Sequence, residues 1–202
     1  MSISRRHPLY KEYLRNAILD TAEQLFIESG SYEAVSMRKI ASEIGYSATT
    51  IYLYFENKED LFQALLRETF RSLSRSVAMA VTQKDPVIAL YQAMKSIILF
   101  SLEHPQHYRL LFHTQPALGH LPSDQRVDQE AFNLLRHQAQ LCLRQRRIRD
   151  VEIEVLAHGA WSVVHGLIST LLDDPTIETE SVIDHVLGSY MAGLMPDSPA
   201  TV

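Results

Sequence analysis

Between Gly45 and Leu61 the chain reads GYSATTIYLYFENKEDL, which sets the hydrogen-bonding side chains of Ser47, Thr49, Thr50, Tyr52, Tyr54 and Lys58 close together on a short segment. None of them is a nucleophile with an ordered base. The sequence offers no Ser/His/Asp order, no carboxylate pair for acid–base work and no glycine-rich phosphate loop, so no catalytic residue is assigned and no enzyme is expected. Hydroxyls and one ammonium on a helix too short to bury much of its own surface suit an external polymer rich in acceptors, and duplex DNA is one. The residues around them fit that reading. Ala41 is small where two helices cross, Gly45 can take positive φ in a turn, and Ile51 points back into a core, which is the spacing of a helix-turn-helix. Lys58 falls at the first turn of the following helix, where the macrodipole disfavours a cation and a docked phosphate reverses the sign.

Other chemistry is poorly supported. Of nine histidines, His104, His107, His113 and His120 come nearest to a metal cluster. His104 precedes Pro105 and belongs at a helix start, His120 sits in a loop, and no carboxylate or cysteine joins them, so no metal and no cofactor are expected. The single cysteine, Cys142, cannot close an intramolecular disulfide and reads as a small apolar filler in a helix, in keeping with a reducing compartment.

With 202 residues, 46% of them hydrophobic, the chain can bury a substantial core, and its net charge of -5 argues against a uniformly basic surface. Residues 1–67 carry eight Lys/Arg (5, 6, 11, 15, 38, 39, 58, 67) against nine Asp/Glu (12, 20, 23, 28, 33, 43, 56, 59, 60). DNA affinity must therefore come from the placement of a few charges and from two copies of the motif. The start, MSISRRHPLYKEY, has no apolar run after its arginines, so no secretory signal is expected. No stretch approaches the roughly 18 uncharged apolar residues of a membrane span, and the expected location is the cytoplasm, with no membrane partner.

The strand signal is weak throughout and apolar residues recur near a 3.6-residue period. Leu14, Ile18, Ala22, Leu25 and Phe26 predict a helix from about Pro8 to Ser29, closed by Gly30. Ser36 caps a second helix with Met37, Ile40, Ala41 and Ile44 on one face, ending at Gly45. Ser47 caps a third, from Ala48 to about Tyr54, and Asn57 starts a long helix to about Thr82. Further helices are separated at Asp85-Pro86, at His104-Pro105, by the loop from Gln115 to Gln125, by the basic hinge from Arg144 to Asp150, and at Asp173-Asp174-Pro175. The expected fold is all-α: an N-terminal three-helix helix-turn-helix domain plus a larger C-terminal helical domain for ligand binding and dimerisation. The boundary falls inside or just after the long helix, near Lys84. The chain is accordingly divided into 1–66, with the start of the connecting helix, and 67–202.

Ser36 to Leu66, SMRKIASEIGYSATTIYLYFENKEDLFQALL, closely resembles the DNA-binding domain of TetR-family transcriptional regulators. Ile40-Ala41, Gly45, Ser47, Thr50, Tyr52, Tyr54, Phe55, Lys58, Glu59 and Leu61 fill that family's pattern in register, and with the first helix the match covers roughly residues 8 to 70. The resemblance implies DNA-binding roles for Arg38, Ser47, Ala48, Thr49, Thr50, Tyr52, Tyr54 and Lys58. Arg38 either reaches a guanine edge or meets a phosphate. Ala48 and Thr49 occupy the base-reading start of the recognition helix, where alanine at best touches a thymine methyl. Ser47 and Thr50 suit phosphate contacts or capping, Tyr52 and Tyr54 the flanking backbones, and Lys58 a phosphate clamp; Leu53 offers apolar contact or shielding. Arg5 and Arg6 either form an arm on the DNA or a disordered basic terminus.

The same resemblance implies a homodimer on a palindromic double-stranded operator and a small, mostly apolar effector whose binding releases a repressor. The alternative is an architectural or interaction protein of the same fold without an effector. Between Val151 and Leu172 the apolar band is too wide for one buried face, and Val182, Ile183, Val186, Leu187, Tyr190, Met191 and Leu194 form a stripe on the last helix, so these two helices suit a four-helix dimer interface. Ala160–Leu172 resembles the Trp-x3-His-Gly pattern, and Leu102–Phe112 the His-Pro-x2-Tyr pattern, of one subgroup of the family's C-terminal domains. Tyr91, Met94, Tyr108, Phe112, Trp161 and His165 are either packed core or the wall of an effector pocket built inside that core.

Overall fold

The computed structural model describes residues 8–113 and 127–196, and every regular element among them is an α-helix. The described residues divide into two compact units, one of 8–69 with 109–113 and one of 70–108 with 127–196. Arg5, Arg6, His120 and the loop from Gln115 to Gln125 lie outside the described residues.

The first unit is built on α1 (Pro8–Ser29), α2 (Met37–Glu43), α3 (Ala48–Ile51) and the start of α4 (Lys58–Ala80). Leu14, Ile18, Leu19, Ala22, Leu25 and Phe26 of α1 are all buried, as the period-3.6 pattern requires. They meet a core that includes Ile40, Ala41, Ile51, Phe55, Leu61, Phe62 and Leu65, each at most 2% exposed. Burial on this scale contributes about 1.5–3 kcal/mol for each large side chain. Gly30 has φ +64° and donates to the Phe26 carbonyl at 2.7 Å, ending α1 as its position past the last periodic residue predicts.

In the second unit α5 (Pro86–Glu103) is central and packs against α7 (Val127–Arg144), α8 (Ile153–Asp173) and α9 (Thr179–Leu194). Leu90, Ala93, Met94, Ile97 and Ile98 of α5 are completely buried. Asp85 caps α5 by accepting from the amides of Val87 and Ile88, with Pro86 in the first turn, and its other oxygen takes Arg147 from the α7–α8 link. His104 ends α5, and α6 (Pro105–His113) begins at once.

Three expectations need correction. α3 stops at Ile51 rather than near Tyr54; beyond it the amides of Leu53 and Tyr54 bond three residues back, to Thr50 and Ile51. Ile51 and Phe55 are both buried, and the tighter turn carries the chain between these anchors. α4 ends at Ala80, two residues early, where the Thr82 amide turns to the Gln92 side chain. α5 and α8 each contain an 18-residue window apolar enough to cross a membrane by length and composition, with mean hydropathies of 1.2 and 1.4. The apolar surface of α5 is explained by its three helical neighbours, whereas only 39% of the α8 window is buried.

Candidate nucleic-acid interface

The turn between α2 and α3 is fixed by backbone bonds that need a glycine. The Tyr46 amide bonds the Ala41 carbonyl at 2.8 Å and the Gly45 amide bonds the Ser42 carbonyl at 3.2 Å, a Schellman closure with Gly45 at φ +73°. Ser36 caps α2 by accepting from the Lys39 amide at 3.2 Å, and Ser47 caps α3 by accepting from the Thr50 amide at 3.3 Å. The Ser47 and Thr50 hydroxyls also bond each other at 3.0 Å. Capping, one of the two roles weighed for these residues, is thus occupied in the free protein.

With Ile51 and Phe55 sealed in the core, part of the segment is left outward. Thr49 is exposed, Tyr52 is 53% exposed and Leu53 79%, while Ala48, Thr50 and Tyr54 are half-buried. Arg38 of α2 is exposed as well. Asn57 caps α4 by accepting from the Asp60 amide at 2.8 Å, and the Asp60 carboxylate accepts from the Glu56 amide at 3.1 Å.

Lys58 does not extend freely into solvent. Its Nζ stands 3.9 Å from the centroid of the Tyr32 ring and donates to the Glu33 carbonyl at 3.5 Å. The Tyr32 hydroxyl donates to Glu59 at 3.2 Å, and its ring packs edge-on against Phe62 at 4.6 Å. Desolvation pulls the Lys58 ammonium below its ordinary pKa against the opposing pull of Glu33 and Glu59. Burial, reinforced by Glu59, pushes the Tyr32 phenol up to about 12. Sequence reasoning assigned no role to Tyr32, nor to the pair Tyr10 and Tyr46, whose hydroxyls meet at 2.9 Å beside the start of α3. Tyr32 and Tyr46 are aromatic residues in or next to a turn, and Tyr10 lies in the first turn of α1.

In the second unit Tyr108 Oη lies 2.8 Å from His165 Nδ1, and Trp161 meets the His165 ring edge-on at 4.4 Å. Phe132 of α7 extends the cluster, 5.7 Å from Trp161 and 4.8 Å from His158. Burial raises the Tyr108 phenol pKa. Of the six residues considered for an effector pocket, Tyr108, Trp161 and His165 are therefore brought together. Met94 is fully buried in α5, and Phe112 groups with the first unit. Tyr91 is committed elsewhere, donating to Asp184 of α9 at 2.7 Å in a set completed by Lys95. Asp184 is held below its ordinary pKa by these donors, Lys95 first, and Lys95 is held above its own by Asp184. His104 and His107 stack near Phe100, and among the described residues no group of three or more His, Cys, Asp or Glu can hold a metal ion. Cys142 is buried, donates to the Pro86 carbonyl at 3.1 Å and is pushed up to about 11 by that burial.

A capped α2, a glycine turn and an outward-facing α3 define a helix-turn-helix DNA-binding protein. Comparison with known proteins gives the family. Residues 18–65 match the family model for bacterial regulatory proteins of the tetR family, and residues 90–190 match a tetracyclin repressor-like C-terminal domain. The transcriptional activator FasR of Mycolicibacterium smegmatis is 30% identical over 94% of this chain and 87% of its own. The transcriptional repressor AcnR of Corynebacterium diphtheriae is 29% identical over 85% of this chain and 88% of its own. A crystal structure of a putative tetR family regulator from Shewanella sp. PV-4 covers 90% of this chain and 98% of its own with a TM-score of 0.72 at 16% identity. The chain belongs to the TetR family of helix-turn-helix transcriptional regulators, proteins that bind DNA operators and typically dimerise.

Proposed function

We propose that this regulator is a homodimeric repressor that reads a palindromic operator with Arg38, Ala48 and Thr49 and grips the backbone with Tyr52, Tyr54 and Lys58. The observation that carries this reading is the outward α3 segment, whose Thr49, Tyr52 and Leu53 are exposed while Ile51 and Phe55 anchor it. In this reading 1–66 binds DNA and 67–202 binds the effector and dimerises, whereas by packing 67–69 and 109–113 group with the first unit. The stripe expected to form the dimer seam is not available for it, because Ile183, Leu187, Met191 and Leu194 are buried within the chain. Dimerisation through α8 and α9 would instead use their outer faces, where Val155, Ser162, Gly166 and Ser169 on one and Ser181, Gly188, Ser189 and Ala192 on the other are exposed and mostly small, which lets paired helices approach closely. Small, mostly apolar effectors would enter beside Tyr108, Trp161 and His165, and the Trp-x3-His-Gly subgroup reading rests on the same segment. Release follows if the effector prefers a state whose two α3 segments no longer match successive major grooves. Relatives named as an activator and as a repressor both exist, so the sign of regulation is tested by reporter output with and without the chain. Repression predicts lower output with the chain present; higher output contradicts it.

A further inference from the structure

Lys58 is the first residue of α4, where the positive end of the helix dipole repels an ammonium, yet its side chain is folded onto one defined surface. The surface is aromatic and itself braced. Tyr32 stands in the turn between α1 and α2, where its carbonyl accepts from the Val35 amide at 3.2 Å. Phe62 supports the ring edge-on and also lies 5.9 Å from the ammonium, and Glu59 accepts from the phenol. Within this frame the ammonium spends one donor on the Glu33 carbonyl, which leaves two for an anion.

We infer that Tyr32 is a positioning residue for DNA binding: its ring holds the Lys58 ammonium in the place where an operator phosphate meets it. A lysine on a flexible stem loses rotamer freedom when a phosphate immobilises it, and a preformed cation–π seat removes most of that loss. In binding terms this is roughly a 3- to 10-fold advantage shared by every DNA sequence, because a phosphate carries no sequence information. The inference rests on the reading of Lys58 as a phosphate contact.

The test is a double-mutant cycle on the full chain with Tyr32→Leu, Lys58→Ala and both together, titrating a duplex recovered from a random pool and a random-sequence duplex of equal length over a range of salt. Tyr32→Leu is expected to weaken both duplexes by roughly 3- to 10-fold while leaving the salt slope unchanged, since the same phosphates are met. Lys58→Ala lowers the slope by about one unit, and adding Tyr32→Leu to it has no further effect. Tyr32→Phe, which keeps the ring and loses only the Glu59 bond, binds as the parent does. A Tyr32→Leu loss of the same size in the Lys58→Ala background overturns the positioning role alone and marks Tyr32 as structural. Lys58→Ala binding like the parent overturns the phosphate reading and the inference with it. Should Tyr32→Leu not fold, the NMR shifts of the Lys58 ε-methylene in the parent protein decide the matter: upfield ring-current shifts are required, and random-coil values contradict the seat.

Discussion

At Lys58 two local terms oppose each other. The helix start disfavours the cation by about 0.3–1 kcal/mol, and the Tyr32 face returns a similar amount. A position near balance in the free protein is well suited to a partner that brings negative charge. Neighbouring residues divide into those that position and those that specify. Tyr52→Phe removes a phenolic donor from a half-exposed ring, and the expected result is a roughly 2- to 10-fold weaker complex with all sequences and an unchanged selected site, read by anisotropy titration. Thr49→Ala should instead alter which base is selected at its position without changing the salt slope. The caps at Ser36, Ser47 and Asn57 were legible from sequence because each bonds an amide only three residues ahead. Tyr32–Glu59 and Tyr10–Tyr46 were not, since they join residues 27 and 36 positions apart and need the packed helices to bring them together.

Helix ends carry the next level of control. Gly45 at φ +73° has open space where a Cβ would point, so Gly45→Ala costs only the left-handed backbone penalty, about 1–2 kcal/mol of stability, measurable by denaturant midpoint at unchanged m-value. Arg146 occupies the equivalent place after α7, at φ 52°, with the Arg147 amide closing back on the Cys142 carbonyl at 3.0 Å. Arg146→Gly should therefore raise stability, by up to about 1 kcal/mol. Between α5 and α9 the tie through Asp184 gives a pH signature. Its folded pKa lies below the unfolded value, so its stabilisation is complete above the ordinary carboxylate range and is lost as pH falls through the folded pKa. Asp184→Asn should be less stable than the parent at neutral pH, and the difference should vanish in acid; a difference independent of pH contradicts the tie. Helix existence was readable because apolar period and cap residues agree along each segment. The early end of α3 was not, because it depends on Phe55 being drawn into a core assembled from α1, α2 and α4.

On the scale of the whole molecule, each unit has its own core, and the division runs through α4 between Thr69 and Phe70 and through α6 between Tyr108 and Arg109. All-helical composition and the order of elements were readable from periodicity. The aromatic cluster of Tyr108, Phe132, Trp161 and His165 was readable only in part: Phe132 lacked any motif, and Tyr91 resembled a pocket residue while serving the α5–α9 contact. Most apolar side chains of α8, Leu156, Ala157, Ala160, Val164, Leu167, Ile168 and Leu171 among them, are buried within the chain, and α8 packs against α5 and α7. In the proposed dimer the outer face of α8 would meet a second copy, and dimer symmetry would match operator symmetry. The most direct measurement is selection of bound duplexes from a random pool by the full chain, with the mass of the complex determined on the recovered sequence. Two inverted half-sites spaced by whole helical turns, occupied by an even number of chains, are the expected result. Salt-dependent binding with no preferred sequence over competitor DNA would contradict it.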